Sequence, residues 1–274
     1  MRQNYRDRAL VVRHYDYGEA DRIVVLLTRD HGVVRAVAKG VRKNKSRFGG
    51  RLAPFVVVDV QLYVGRGSLA SLTSAETIRS YNQLIVDSYA KYTAACAVLD
   101  VAEKFTIGDD ASLCDAAADA IEDIAHSWPV GAHSSLAAAT ASCVRDGRQG
   151  SDGLPTLRVD KFVVQALANE GWEPQLFSCA ACGEPGPHHA FSPSAGGAVC
   201  SACRPPGALS VPEGSLRMAW WLMHDCDKSV RDAWNTSGGS SEFWRIADSC
   251  HDVVVRYVHW HLGMKVRSIE LMEG

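Results

Sequence analysis

Along the first eighty positions apolar residues come in short bursts, at 9–17, 23–28, 33–39, 55–64 and 69–75, separated by polar or glycine-bearing turns. Bursts of this length, joined by Arg29-Asp30-His31-Gly32 and Gly65-Arg66-Gly67-Ser68, predict five antiparallel strands. Five short strands in so brief a stretch predict a small OB-like β-barrel, a fold that binds single strands through one sheet face and its loops. Past Ser80 the period lengthens: Leu84, Tyr89, Tyr92, Cys96, Leu99, Val101 and Phe105 return every three or four residues, which is the spacing of a helix. Further helices are predicted at 111–127, 130–145, 159–170, 213–227 and 241–262, with Gly238-Gly239 turning the chain between the last two and an exposed loop at 146–156. The expected organisation is α+β, with a barrel domain at 1–80 and an α-helical domain at 81–274.

Charge divides the chain at the same place. The net charge of −2 conceals 15 Lys/Arg against 7 Asp/Glu in residues 1–80, a balance of +8, and therefore −10 in the remainder. Six of the cations fall within thirteen residues between the third and fourth strands: Lys39, Arg42, Lys43, Lys45, Arg47 and Arg51, with no carboxylate between Asp30 and Asp59. A loop of this kind suits a polyanion, because Lys and Arg displace counterions condensed on phosphates. Phe48 within it is expected to offer a ring for a base, and Arg66 in the next turn to reach a further phosphate. The alternative is a solvated hairpin tip. The polar start, Met1 to Asp7, leads into no secretory segment, and no apolar run is long enough to cross a bilayer, so the expected location is cytoplasmic, and for a DNA-binding protein nucleoid-associated.

In that reducing setting nine cysteines point to metal binding or buried thiols. Cys179-Ala180-Ala181-Cys182 and Cys200-Ser201-Ala202-Cys203 are two C-x2-C knuckles separated by 17 residues, the spacing of a four-thiolate zinc module at about 175–206. Four sulfurs close the coordination shell, so a single Zn2+ there is expected to stabilise the fold. His188 and His189 lie between the knuckles as competing ligands. Cys96, Cys114, Cys143, Cys226 and Cys250 sit singly in helical apolar patterns, as small core residues do. His224, Cys226, Cys250, His251, His259 and His261 form a second collection, without a spacing template. No phosphate-binding, dinucleotide-binding or hydrolase motif is present. Asp115, Asp119, Glu122 and Asp123 leave a metal-dependent nuclease as one rival reading, and a zinc-ribbon nucleic-acid-binding regulator as another.

The run from Arg8-Ala9-Leu10-Val11-Val12-Arg13 through Tyr17-Gly18-Glu19-Ala20-Asp21-Arg22-Ile23, followed by Ala38-Lys39-Gly40-Val41-Arg42 and Phe48-Gly49-Gly50-Arg51-Leu52, resembles the N-terminal domain of bacterial RecO recombination-mediator proteins. Leu62-Tyr63-Val64-Gly65-Arg66-Gly67-Ser68-Leu69, Gly171-Trp172-Glu173-Pro174 leading into Cys179, and His261-Leu262-Gly263 with Arg267-Ser268 continue the likeness in the same order. The resemblance implies a non-enzymatic DNA repair and recombination mediator of the RecFOR pathway. Such a protein binds single- and double-stranded DNA, anneals strands coated with single-strand-binding protein and works with RecR to load RecA. It further implies that Lys39, Arg42, Lys43, Lys45, Arg47 and Arg51 contact DNA, and that the four cysteines of a zinc-keeping branch hold the metal. A pocket for the C-terminal tail of single-strand-binding protein is expected in the helical domain, with Arg217, Trp220 and Trp221 as candidates and helix-core tryptophans as the alternative.

Overall fold

The first strand runs six residues further towards the N-terminus than its apolar pattern suggests, because its polar start, Asn4-Tyr5-Arg6-Asp7-Arg8, still finds a partner. In the computed structural model, which describes residues 3–43, 46, 48–65, 67–106, 111–127, 155–212, 214–238 and 240–272, β1 spans Gln3–Tyr17. Its first half pairs with β4 (Val56–Val64), from Gln3↔Val64 to Leu10↔Val57. Its second half pairs with β2 (Asp21–Thr28), from Ala9↔Thr28 to Tyr17↔Asp21. The register shifts between Val11 and Arg13, so Val12 is an extra residue, and a bulge of this kind bends one strand enough to serve two partners. With β3 (Val33–Ala38) and β5 (Ala70–Ser80) the order is β1-β2-β3-β5-β4, and β4 returns to β1 to close a barrel.

One pairing departs from the expected all-antiparallel arrangement. β3 and β5 run parallel, over Ala36↔Ala70 and Val37↔Ser71. Small side chains suit this short closing contact: Ala36, Ala38 and Ala70 are buried in the barrel interior with Val11, Val24, Leu26, Val58, Val60, Leu62 and Leu72.

A second apolar layer lies outside the barrel. Leu10, Val25 and Leu27 have no exposed surface, although they alternate with the inward residues of their strands. After β5 the chain forms α1 (Asn82–Val86), α2 (Tyr89–Phe105) and α3 (Ala111–His126). The Cys114 thiol of α3 donates to the Leu27 carbonyl at 3.1 Å, and burial pushes that thiol up to about 12. Residues 81–126 include nine acidic and two basic positions, and six of the acidic ones lie in these helices. They meet the barrel through ion pairs: Arg13 with Glu103 at 2.6 Å, Arg8 and Arg29 with Asp115 at 3.6 and 3.2 Å, and Arg79 with Glu122 at 2.6 Å. The compact unit accordingly extends past the sequence-based boundary at residue 80, covering Met1–His126, and a second unit covers Ser127–Gly274. The helix expected at 130–145 and Cys143 lie outside the described residues.

In the second unit α4 (Pro155–Asn169), α5 (Ser215–Met223) and α7 (Ser241–Leu262) pack mutually, with α6 (Asp227–Ser237) and α8 (Arg267–Glu270) beside them. The helix expected at 213–227 ends at Met223, and a further helix that the pattern did not predict follows it. The chain breaks at Asp225, which adopts φ of 55°, and α6 begins at Asp227. The break is fixed from outside, since Lys161 of α4 binds the Asp225 and Asp227 carboxylates at 2.8 and 2.9 Å. α7 matches its predicted bounds because both ends are written in the sequence. Ser240 accepts from the Phe243 amide at 3.4 Å, and Gly263 closes the helix at φ 63°. Between α4 and α5 a three-stranded sheet, β6 (Ala190–Ser192), β7 (Gly197–Ala198) and β8 (Leu209–Ser210), carries the cysteine module. Among the described residues no helix is long and apolar enough to cross a membrane.

Candidate nucleic-acid interface and metal centre

The basic loop is pinned to the barrel by its apolar residues. Val41, Phe48 and Leu52 are buried in the barrel core, and residues 49–52 form one 3-10 turn. Phe48 is 1% exposed, so the expectation that its ring stacks on a base is overturned: a benzyl group beside an open barrel end gains more by filling the core than by facing water. The loop start is tied to the β1–β2 turn, where the Gly40 amide donates to the Asp21 carboxylate at 2.7 Å and the Arg42 amide to the Ala20 carbonyl at 3.0 Å. Gly40 takes φ of 68°, a conformation that a side chain would resist.

With the apolar residues turned inward, Lys39, Arg42, Lys43 and Arg51 are exposed. Arg42 lies 3.6 Å from Asp16, and Arg51 donates to the Ala75 carbonyl at 3.4 Å. Asp16 also accepts from Arg22 at 2.9 Å, and these hydrogen bonds and charges hold its carboxyl below the usual range. Asp16 and Asp21 thus reach a loop that is free of carboxylates in sequence, and only the register of β1 with β2 brings them there. Among the described residues Lys39 and Lys43 have no ion pair. Lys45, Arg47 and Arg66 lie outside the described residues.

The four predicted metal ligands come together. The sulfurs of Cys179, Cys182, Cys200 and Cys203 lie within 4.8 Å of one another, and those of Cys182 and Cys200 are 3.8 Å apart. A tetrahedron with Zn–S bonds of about 2.3 Å has edges of about 3.8 Å, so the cluster fits such an ion and is too open for a disulfide. Each part of the fold that produces this has a local cause. The Gly183 amide donates to the Cys179 carbonyl at 2.8 Å with Gly183 at φ 77°, folding the first knuckle, and the Ala180 amide donates to Ala198 at 2.8 Å, binding it to the strand that leads to the second. Gly197 passes so close to Gln175 that an added Cβ would lie 2.2 Å from the Gln175 carbonyl oxygen. Backbone hydrogen bonding, first from Cys200, lowers the Cys179 thiol to about 6, while hydrogen bonding to Cys182 and then Cys200 pushes Cys203 up to about 12. Four sulfurs this close can all be thiolates only around a cation.

The remaining candidates are dispersed or otherwise engaged. His188 bonds the Glu184 carbonyl at 2.8 Å through Nε2, and neither it nor His189 joins the sulfur cluster. His251 pairs with the buried Asp160 at 2.7 Å, His259 accepts from the Val266 amide at 3.0 Å, and His261 stacks on Trp172. Among the described residues the four cysteines are the one group placed to hold a metal. On α3, Asp115 serves Arg8 and Arg29, whereas Glu122 serves Arg79 and the Tyr81 hydroxyl at 2.8 Å, so these carboxylates diverge. Trp220 and Trp221 are half-buried and Arg217 is exposed. Trp220 stacks on His224 at 4.5 Å and lies 5.7 Å from the half-exposed ring of Phe177, a surface neighbour that the spacing of α5 alone does not reveal.

A closed five-stranded barrel presenting a cationic loop, followed by a helical unit with a four-thiolate cluster, defines a nucleic-acid-binding protein of the OB class. Residues 1–81 match the family model for the N-terminal domain of recombination protein O, and residues 138–270 match that for its C-terminal domain. The chain belongs to the recombination protein O family, RecO, and is a DNA-binding mediator of recombination and repair of that type.

Proposed function

We propose that the chain binds single- and double-stranded DNA through Lys39, Arg42, Lys43, Lys45, Arg47, Arg51 and Arg66, anneals complementary strands coated with single-strand-binding protein, and acts with RecR to load RecA without itself being an enzyme. The observation that carries this reading is the loop whose apolar residues are locked in the barrel while Lys39, Arg42, Lys43 and Arg51 are exposed. Two strands repel each other through their phosphates; cations shared between them lower that repulsion and leave base pairing to supply the driving force. The ion is Zn2+, held by Cys179, Cys182, Cys200 and Cys203; its contribution is to fix the two knuckles, because four thiolates leave no position for a reacting water. The acidic, apolar tail of single-strand-binding protein docks beside Arg217 and Trp220, a cation next to an aromatic surface.

The test is ATP-free annealing of complementary strands pre-coated with single-strand-binding protein, comparing the native chain with Lys43→Ala/Lys45→Ala/Arg47→Ala. Fast annealing by the native chain that collapses in the variant is the expected result. Equal rates would remove the loop from the DNA site, and no annealing by folded, zinc-loaded native protein would sink the mediator reading.

A further inference from the structure

With Phe48 inside the barrel, the loop has no ring to offer, yet the sheet beside it has two. Beyond the Val12 bulge, alternate residues of β1 face outward, and their partners across β2 and β3 follow from the registers. Arg13 is opposite Val25 and then Arg35; Tyr15 is opposite Ile23 and then Val37; Tyr17 is opposite Asp21. In the first row Val25 has no exposed surface, while Arg35 at its end is open. The next two rows are open: Tyr15 and Tyr17 are each 50% exposed, and Ile23 and Val37 are half-buried beneath them. Among the described residues of the barrel, these tyrosines and Ile78 are the exposed large apolar side chains.

The surroundings carry the charge of a phosphate-binding surface. The Arg13 guanidinium stands 5.9 Å from the centre of the Tyr15 ring and is held there by Glu103 at 2.6 Å. Arg35, on the same face, is 61% exposed at 3.9 Å from Glu103. Lys39 follows β3 directly, at the start of the loop. Asp21 stands in the Tyr17 row, but its carboxylate is taken by the Gly40 amide.

We propose that Tyr15 and Tyr17 form a stacking platform for two bases of single-stranded DNA, with Arg35 and Lys39 receiving the flanking phosphates. This rests on the reading of the chain as a DNA-binding mediator and deepens it, naming the surface that distinguishes a single strand from a duplex. Two residues apart on one strand, the tyrosines are spaced about 6.8 Å, twice the 3.4 Å rise of a stacked duplex strand. Adjacent bases reach both rings when the strand is unstacked and extended. A duplex keeps its base faces hidden and meets the cations alone.

Fluorescence anisotropy with a labelled oligo-dT, the same strand bearing abasic sites, and a duplex of equal length tests this in the full chain. Tyr15→Ala and Tyr17→Ala are each expected to lose roughly tenfold in affinity for oligo-dT, with duplex affinity and the salt slope unchanged. Tyr15→Phe and Tyr17→Phe should retain native binding, because a phenyl ring still stacks. The native chain should bind the abasic strand at least roughly tenfold more weakly than intact oligo-dT, an outcome independent of whether the variants fold. Native-like binding of oligo-dT by folded alanine variants, or equal native affinity for abasic and intact strands, overturns the platform and leaves the cationic loop as the DNA site. A change in self-association without a change in DNA affinity overturns it as well. Failure of the native chain to bind any of the three probes removes the DNA-binding reading and the platform with it.

Discussion

Asp16 is the residue that restrains the cationic loop. It lies in β1, 26 positions before Arg42, yet its carboxylate stands 3.6 Å from Arg42 and is bound by Arg22. Asp16→Asn is therefore expected to tighten single-strand binding roughly two- to fivefold at low salt and to steepen the salt slope, as Arg42 becomes available to phosphate; unchanged affinity would mean that Arg42 stays off the DNA. His14, on the neighbouring inward position, has its pKa lowered, first by burial and then by Arg22. Its folded pKa lies below its unfolded value near 6.5, so the unfolded chain binds the proton more readily and stability falls as pH drops through the imidazole range. Thermal melts from pH 8 to pH 5 should show this loss, and His14→Gln should flatten the profile. The four-cysteine cluster was legible in sequence because thiols that share one ion need a fixed spacing. Asp16 was not, since its role depends on a strand register that no local pattern encodes.

At the scale of elements, the loop and the barrel are one device. Phe48, Val41 and Leu52 are loop residues by sequence and core residues by burial. Phe48→Ala should destabilise the barrel unit by about 3–5 kcal/mol and weaken DNA binding in the same variant, whereas Phe48→Leu should cost much less in both. Native affinity in a strongly destabilised Phe48→Ala chain would separate the loop's conformation from its function. The strands were readable as apolar bursts, and α7 from its serine cap and closing glycine. The first six residues of β1 were not, because a polar segment becomes a strand only when β4 supplies its partner. Nor was the break at Asp225, which is imposed by Lys161 from another helix. The aromatic role expected of Phe48 failed for a related reason: residue type indicates what a ring can do, while its packing decides which face of the sheet receives it.

At the scale of the whole molecule, the two compact units predict two unfolding transitions. Zinc chelation or Cys182→Ser should lower the melting of the helical unit, where Phe191 of the module meets Tyr257 of α7 at 5.5 Å, and leave that of the barrel unit in place. Calorimetry with and without chelator checks this, and a joint shift of both transitions would count against it. The strong positive charge of residues 1–80 is also largely spent within its own unit, because the acidic helices that follow bring Met1–His126 to a net charge of +1 and leave −3 for the remainder. Arg8, Arg13, Arg29 and Arg79 face carboxylates, so the cations of the loop act over little more than a Debye length, about 8 Å at physiological salt. The expected consequence is kinetic: DNA should meet the loop at an ordinary unsteered rate, and salt should act chiefly by shortening the lifetime of the complex once it has formed.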